Sequence, residues 1–336
     1  MLKISVVVPS YNQGQFIEET FQSIFEQAYP DIEVIVIDGG SKDNTVDIIK
    51  KYEKQISYWV SEKDKGQSDA INKGFARATG DIVTWLCSDD LFLPGTLQSV
   101  NDHFNALPDT VGVIHGGVQM FEGDKDLEID YGYENPCTER NISGMAFSQP
   151  AAFFRKIYLD RIGGKVSETL HYGMDYDLFS RLATVCQFHP VKDLYAKYRL
   201  HDASKSVSQQ DKFIIDWCRV FVNFCKNAGW DDTLTKLSSV SPLQEAIPYF
   251  QPFNFEPDPG ILSSIDKEKA LFYHLCYQVR SLFASGKIAA SRKMLARIKK
   301  EFPGAWLQSE KLIPFITTRL FWPDFVLIAI RKIRGK

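Results

Sequence analysis

Residues 4–90 alternate short β-branched runs with segments of helical periodicity, an order that few folds accept. Ile4–Val8 and Glu33–Asp38 read as strands buried on both faces, the pattern of a parallel sheet. Between them Phe16, Thr20, Phe21, Ile24 and Phe25 share one helical face. Asp43–Tyr52 predicts a second helix capped by Asp43 or Asn44, and Ile56–Val60 a third strand. Gln67–Thr79 predicts a third helix stopped at Gly80, and Ile82–Cys87 a fourth strand. The alternation implies an α/β domain, whose ligands bind beyond the carboxyl ends of its strands. Three polar clusters fall there: Pro9–Asn12, Asp38–Ser41 and Ser88–Asp90. Their convergence on one rim is the first indication of a site.

The rest of the chain is less regular. Residues 112–200 mix short strands with a helix near Asp175–Ala183, and beyond Gln209 the pattern turns helical. Residues 227–264, rich in Pro, Ser and Asp, read as a linker or irregular arm. Lys267–Ala284 and Lys287–Lys300 read as an amphipathic helical hairpin turned at Ser285-Gly286; one hairpin is not a repeat array. The expected organisation is a catalytic domain over 1–225 and a mainly helical region over 226–336.

Composition excludes several classes. A net charge of -3 does not suit a nucleic-acid binder, which needs clustered Lys and Arg. The six cysteines form no CxxC pair, against a zinc site or disulfide scaffold. The apolar run at the N-terminus is too short for a signal peptide, so a cytoplasmic location is expected. The most apolar late stretch is interrupted by Arg319, Pro323 and Asp324, short of the roughly 18 apolar residues that span a bilayer. Residues 325–336 end in Arg331, Lys332, Arg334 and Lys336 after an apolar run. They suit either peripheral contact with an anionic membrane, at about 1 kcal/mol per basic residue, or a packed helix with a frayed end.

Four stretches carry a resemblance: VVVPSYNQGQFIEETFQSIFEQAYPDIEVIVIDGGSKDNT, EKDKGQSDAINKGFARATGDIVTWLCSDDLFLPG, HYGMDYDLFSRL and YRLHDAS. In this order they resemble the family 2 glycosyltransferases, over roughly the first 205 residues. The resemblance implies a GT-A fold and an inverting transfer from a nucleotide-diphosphate sugar, most simply a UDP-sugar, to a saccharide or glycolipid. It further implies a cell-surface polysaccharide pathway.

Each motif also has a plain structural reading. Pro9, Ser10, Tyr11 and Asn12 turn the chain off the first strand; in the family this turn cradles the base. Asp38 and Gly39 close the second strand, where the carboxylate could accept from a base N–H or build an Asx turn. Lys65, Gln67 and Asp69 could face the nucleotide or simply start a helix. Ser88, Asp89 and Asp90 carry the metal expectation. Paired carboxylates repel unless a cation offsets them, and Mn²⁺ or Mg²⁺ suits oxygen ligands beside a diphosphate. Their alternative is a helix cap.

The family pattern Asp-x-Asp-Asp has Cys87 at its first position here; Ile71 and Met174 are further departures. Asp175 matches the general base, which must reach an acceptor hydroxyl at about 3 Å. Asp177, on another face of the helix, is expected to cap or to form a surface pair. Arg199 and His201 resemble the segment folded over the diphosphate, and Gln149 resembles an acceptor-side loop. Two enzyme rivals, a sugar nucleotidyltransferase and a nicotinamide dehydrogenase, would need glycine-rich phosphate loops that VVVPSYNQG lacks. A catalytically silent nucleotide-sugar binder is the rival from another class.

Overall fold

The computed structural model describes residues 1–132, 137–201, 210–241, 243 and 249–310, with positions 319, 322, 323 and 326. One nine-stranded sheet organises the N-terminal two thirds. The strands are β1 (Ile4–Ser10), β2 (Ile32–Asp38), β3 (Tyr58–Ser61), β4 (Ile82–Trp85), β5 (Leu91–Phe92), β6 (Val111–Glu122), β7 (Lys125–Asp130), β8 (Ala152–Arg155) and β9 (Gln187–Arg199). Their order is β3-β2-β1-β4-β8-β6-β9-β5, with β7 pairing off β6. β1 to β4 are mutually parallel, as the alternation predicts. Past β4 the sheet becomes mixed, because β8 joins β4 and β6 antiparallel while β6 and β9 run parallel.

The pleat sorts β1 between two cores. Ile4, Val6 and Val8 join Phe21, Phe104 and Phe153 on one face, whereas Val7 joins Phe75, Trp85 and Phe179 on the other. The Gln67–Phe75 helix packs directly over Val7 through Gly74, where a Cβ would overlap the Val7 side chain. This helix ends at Phe75, a turn before Gly80; Gly80 instead lies against the Ser5 backbone, where a Cβ would come within 2.7 Å of its nitrogen.

Two expectations need correction. Residues 227–264 are not simply an irregular arm, since Asp231–Val240 and Pro259–Ser264 are helices. Asp231 and Asp232 favour the positive N-terminus of the first, and Asp258 caps the second. The expected boundary at 225/226 falls inside the continuous Gln210–Asn227 helix. Apolar contacts cross it as well: Ile142 and Ala183 share a core with Phe221, Leu237, Leu271 and Leu295. No helix among the described residues is long and apolar enough to cross a membrane. The tail expectation at 325–336 lies outside the described residues, apart from Val326.

Candidate active site

The strand-end loops and the start of the Met174–Leu182 helix enclose a cleft of about 740 Å³, within the range of small-molecule sites. Pro9, Ser10, Tyr11, Gly39, Gln67, Ser88, Asp89, Asp90, Gln149, Asp175 and His201 all line it. These expected residues come from elements far apart in sequence and meet at one place.

The loops after β1 and β2 are stitched together. The Gly39 amide donates to the Ser10 carbonyl at 2.9 Å, and the Gln13 amide to Thr45 Oγ1 at 2.9 Å. The Gly14 amide donates to Asp43 Oδ2 at 2.9 Å. Asp43 also accepts from the Thr45 amide at 3.0 Å, so it serves as the helix cap that Asn44 does not provide. Tyr11 projects at the rim, 58% exposed. Ser10 is 4% exposed, yet among the described residues its hydroxyl has no hydrogen-bond partner. A buried hydroxyl left unpaired costs about 1–3 kcal/mol, so this one is open to a polar partner entering from the cleft, water or a ligand group.

Five expected residues do not reach the cleft wall. Asp38 is fully buried, and its carboxylate accepts from the Gly40 and Ser41 amides, Ser61 Oγ at 2.6 Å and Ser41 Oγ. It builds the loop instead of presenting an acceptor to a base. Asn12, at φ 51°, accepts from the Lys42 amide and so ties one loop to the other. Asp69 accepts from the Lys65 amide and pairs with Lys73. The Lys65 ammonium, 79% exposed, lies 3.6 Å from Glu168. Arg199 is buried; its Nε donates to the Asp89 carbonyl at 2.8 Å and its Nη2 to Glu19 at 2.6 Å. Its guanidinium also sits over Phe16 and Phe121. It braces the acidic loop, because β5–β9 pairing sets Leu91 opposite Lys197 and draws Asp90 to the Arg199 amide.

At the acidic loop, ligand atoms of Cys87, Asp89 and Asp90 lie within 4.8 Å of one another. Burial, then the neighbouring Asp89 charge, pushes the Asp90 carboxyl well above its ordinary value, against the Arg199 amide bond and charge. Asp89 Oδ2 lies 3.0 Å from His201 Nε2, and Gln67 Nε2 donates to Cys87 Sγ at 3.3 Å. A carboxylate pair with one member buried and the other half-buried, and with only partial cationic compensation, fits a divalent ion, with His201 close enough to contribute. His201 thus meets the acidic pair as well as the cleft.

The cleft is also lined by apolar side chains, Met145, Phe147, Pro150, Met174 and Phe213, together with Tyr172 and Asp175. Asp175 is half-buried in the first turn of its helix and accepts from the Tyr176 amide at 2.8 Å. Gln149 Nε2 donates to the Trp85 carbonyl at 2.8 Å, which fixes its amide at the end of β4. Asp177 pairs with Arg181 at 2.8 Å, but the pair is largely buried and not at the surface. His115 stacks on Phe147 at 4.1 Å, and burial, then the neighbouring His189, lowers its pKa to about 4.

Sequence reasoning missed Lys63, Asp64, Tyr172 and Phe213 on this surface. Asp64 had a local signal: it accepts from the amide of Gly66, whose φ of 115° is open to glycine, just before a helix. Gly39 also matters here, because a Cβ there would come within 2.7 Å of the Asp64 carboxylate.

Residues 5–162 match the family model described as Glycosyl transferase family 2. Similar curated proteins include an uncharacterized glycosyltransferase of Rickettsia typhi, 27% identical over 229 residues, 64% of this chain and 70% of that protein. A putative teichuronic acid biosynthesis glycosyltransferase of Bacillus subtilis, TuaG, is 41% identical over 98 residues, 28% of this chain and 39% of that one. The chain spans 36% of the length of several other relatives, from Rickettsia conorii, Rickettsia felis and Nostoc. Among solved structures, S. aureus TarS 1-349 in complex with UDP-GlcNAc aligns with a TM-score of 0.56 at 17% identity, over 88% of this chain and 89% of that one. The mannosyltransferase PcManGT from Pyrobaculum calidifontis, in complex with GDP-Man and Mn²⁺, aligns with a TM-score of 0.54 at 19% identity, over 100% and 88%. At such identities the likeness establishes the fold, which is GT-A.

Proposed function

With residues 5–162 a glycosyl transferase family 2 domain, we propose that the cleft binds a nucleotide-diphosphate sugar with a divalent cation. In this reading Asp175 promotes inverting transfer to a saccharide or lipid-linked saccharide. The observation that carries it is the meeting, in one cleft, of the unpaired Ser10 hydroxyl, the Asp89–Asp90 pair and Asp175 with apolar side chains.

The division of labour follows from the chemistry of each wall. The loop after β1 offers backbone groups, the Ser10 hydroxyl and the Tyr11 ring to the nucleoside. Gly39 leaves the backbone open there. Asp89 and Asp90, with Cys87 or His201 nearby, would hold Mn²⁺ or Mg²⁺. When bound, such an ion offsets the charge of the departing diphosphate. Asp175 takes the proton of the acceptor hydroxyl as that oxygen attacks the anomeric carbon, one displacement with inversion. The apolar residues of the cleft exclude water and present flat rings to a sugar face.

A UDP-sugar is the donor favoured by the overall likeness to the family. The TuaG relative supports a cell-surface polysaccharide pathway. Changing Asp175 to Asn tests the base directly. It should lower turnover by about 10²–10⁴-fold with nucleotide affinity unchanged. Full turnover in that variant would remove Asp175 from the chemistry.

A further inference from the structure

The Gln210–Asn227 helix lies outside the family-matched residues, yet it grips the peptide that leads into Asp175. Asp216, 4% exposed, accepts the Tyr172 amide on Oδ2 at 2.9 Å and holds Arg219 on Oδ1 at 3.0 Å. One residue on, Trp217 Nε1 donates to the Tyr172 carbonyl at 3.3 Å. Both polar groups of residue 172 are therefore fixed by one turn of one helix. Trp217 is itself immobilised, stacked on Tyr277 at 3.8 Å and set against Tyr176 at 5.3 Å.

Gly173 makes this approach possible. A Cβ there would stand 3.1 Å from Asp216 Cβ and 3.5 Å from Trp217 Cδ1. The Met174–Leu182 helix begins at the next residue, with Asp175 second in it. A side chain at the first turn of a short helix takes its position from the peptide that enters that helix. Reacting groups lose rate steeply with small displacements.

We infer that Asp216 and Trp217 are positioning residues that set Asp175 at its working point. The Gln210–Asn227 helix, beyond the family-matched residues, thereby completes the catalytic site. The inference rests on Asp175 being the base, and its test separates the two. The readout is hydrolysis of UDP-N-acetylglucosamine and of GDP-mannose by the full chain with Mn²⁺, beside calorimetric binding of UDP and GDP.

Asp216→Ala should lower kcat about a hundredfold on the better donor, with KM and nucleotide affinity unchanged. Asp216→Asn keeps an oxygen for the Tyr172 amide and should recover turnover to within roughly tenfold of the unaltered chain. Trp217→Phe keeps the stacked ring, removes only the N–H, and should lower kcat alone; it carries the same test if Asp216→Ala does not fold. Undiminished kcat in Asp216→Ala, or in Trp217→Phe where it stands in, with Asp175→Asn inactive would overturn the inference by itself. So would Asp216→Asn as slow as Asp216→Ala, or a matching loss of nucleotide affinity. Full turnover by Asp175→Asn, or none by the unaltered chain on either donor, would overturn the base assignment and the inference together.

Discussion

Gly74→Ala sets two effects of known size against each other at the contact between the Gln67–Phe75 helix and β1. In an unobstructed helix interior, alanine is favoured over glycine by about 1 kcal/mol. Here the added Cβ would overlap Val7 Cγ1 and stand 2.9 Å from Cγ2, inside a core with no spare volume. Overpacking of this kind costs about 1–3 kcal/mol, and Val7 is a β-branched strand residue that cannot swing aside. With the Cβ only 2.2 Å from Val7 Cγ1 the clash lies at the upper end of that range and outweighs the propensity, so Gly74→Ala should destabilise by up to about 2 kcal/mol.

Val7→Ala removes both obstructing methyls and leaves Val7 Cβ at 3.1 Å. Alone it should cost about 2 kcal/mol through lost burial and a cavity. In its background Gly74→Ala should turn neutral or stabilising, for a favourable coupling of about 2 kcal/mol. Urea unfolding of the four proteins measures this, with the slope checked for constancy. A stabilising Gly74→Ala in the unaltered chain, or zero coupling, would refute the reasoning. The outcome bears on function, because the same helix carries Gln67 into the cleft.

Other outcomes follow from buried charge. Burial works to raise the Glu33 carboxyl, but the Ser5 hydroxyl, the Thr79 amide and hydroxyl, and the Lys3 ammonium together hold it at about 2. An acid depressed in this way stabilises above its ordinary value of 4.5 and loses that contribution as pH falls through about 2. Glu33→Gln should cost about 1–2 kcal/mol at pH 7 after allowance for solvent screening, with the difference shrinking between pH 4.5 and 2; a pH-independent difference in denaturation midpoint would contradict this. In the C-terminal region Glu310, buried, accepts from Arg140 and from Arg280 at 2.7 Å. Glu310→Ala removes the buried carboxylate shared by Arg140, itself buried, and the half-buried Arg280, and should cost about 3–5 kcal/mol by urea unfolding. A loss under 1 kcal/mol would show that water reaches the pair.

The parallel half of the fold was legible because β1, β2 and β4 are short runs dominated by β-branched residues and their intervening helices carry clear periodicity. Ser10 and Asp89, expected at strand ends, and Asp175, expected on a helix, meet at the cleft. Asp38 and Arg199 read differently because sequence gives a residue's type and strand position but not the local groups that use its charge. Asp38 is enclosed by Gly40, Ser41 and Ser61; Arg199 meets Asp89 across 110 positions through a β5–β9 pairing of only two residues on β5. The contribution of Phe213 and Asp216 was hidden for the same reason, since only the folded chain brings that helix to Tyr172. The mixed sheet beyond β4 depends on similarly distant pairings, which no local pattern encodes.

The most direct test of the account is a calorimetric titration of the full chain with UDP, GDP, dTDP and CMP, with and without Mn²⁺, repeated on Asp89→Ala. One diphosphate should bind in a metal-dependent way, and Asp89→Ala should weaken it at least about tenfold, the loss expected when a charged ligand contact worth 1.5–3 kcal/mol is removed. Equal binding with and without metal, unaffected by Asp89→Ala, would contradict the assignment of the acidic loop. No binding of any nucleotide would leave a GT-A fold without the donor site proposed for it.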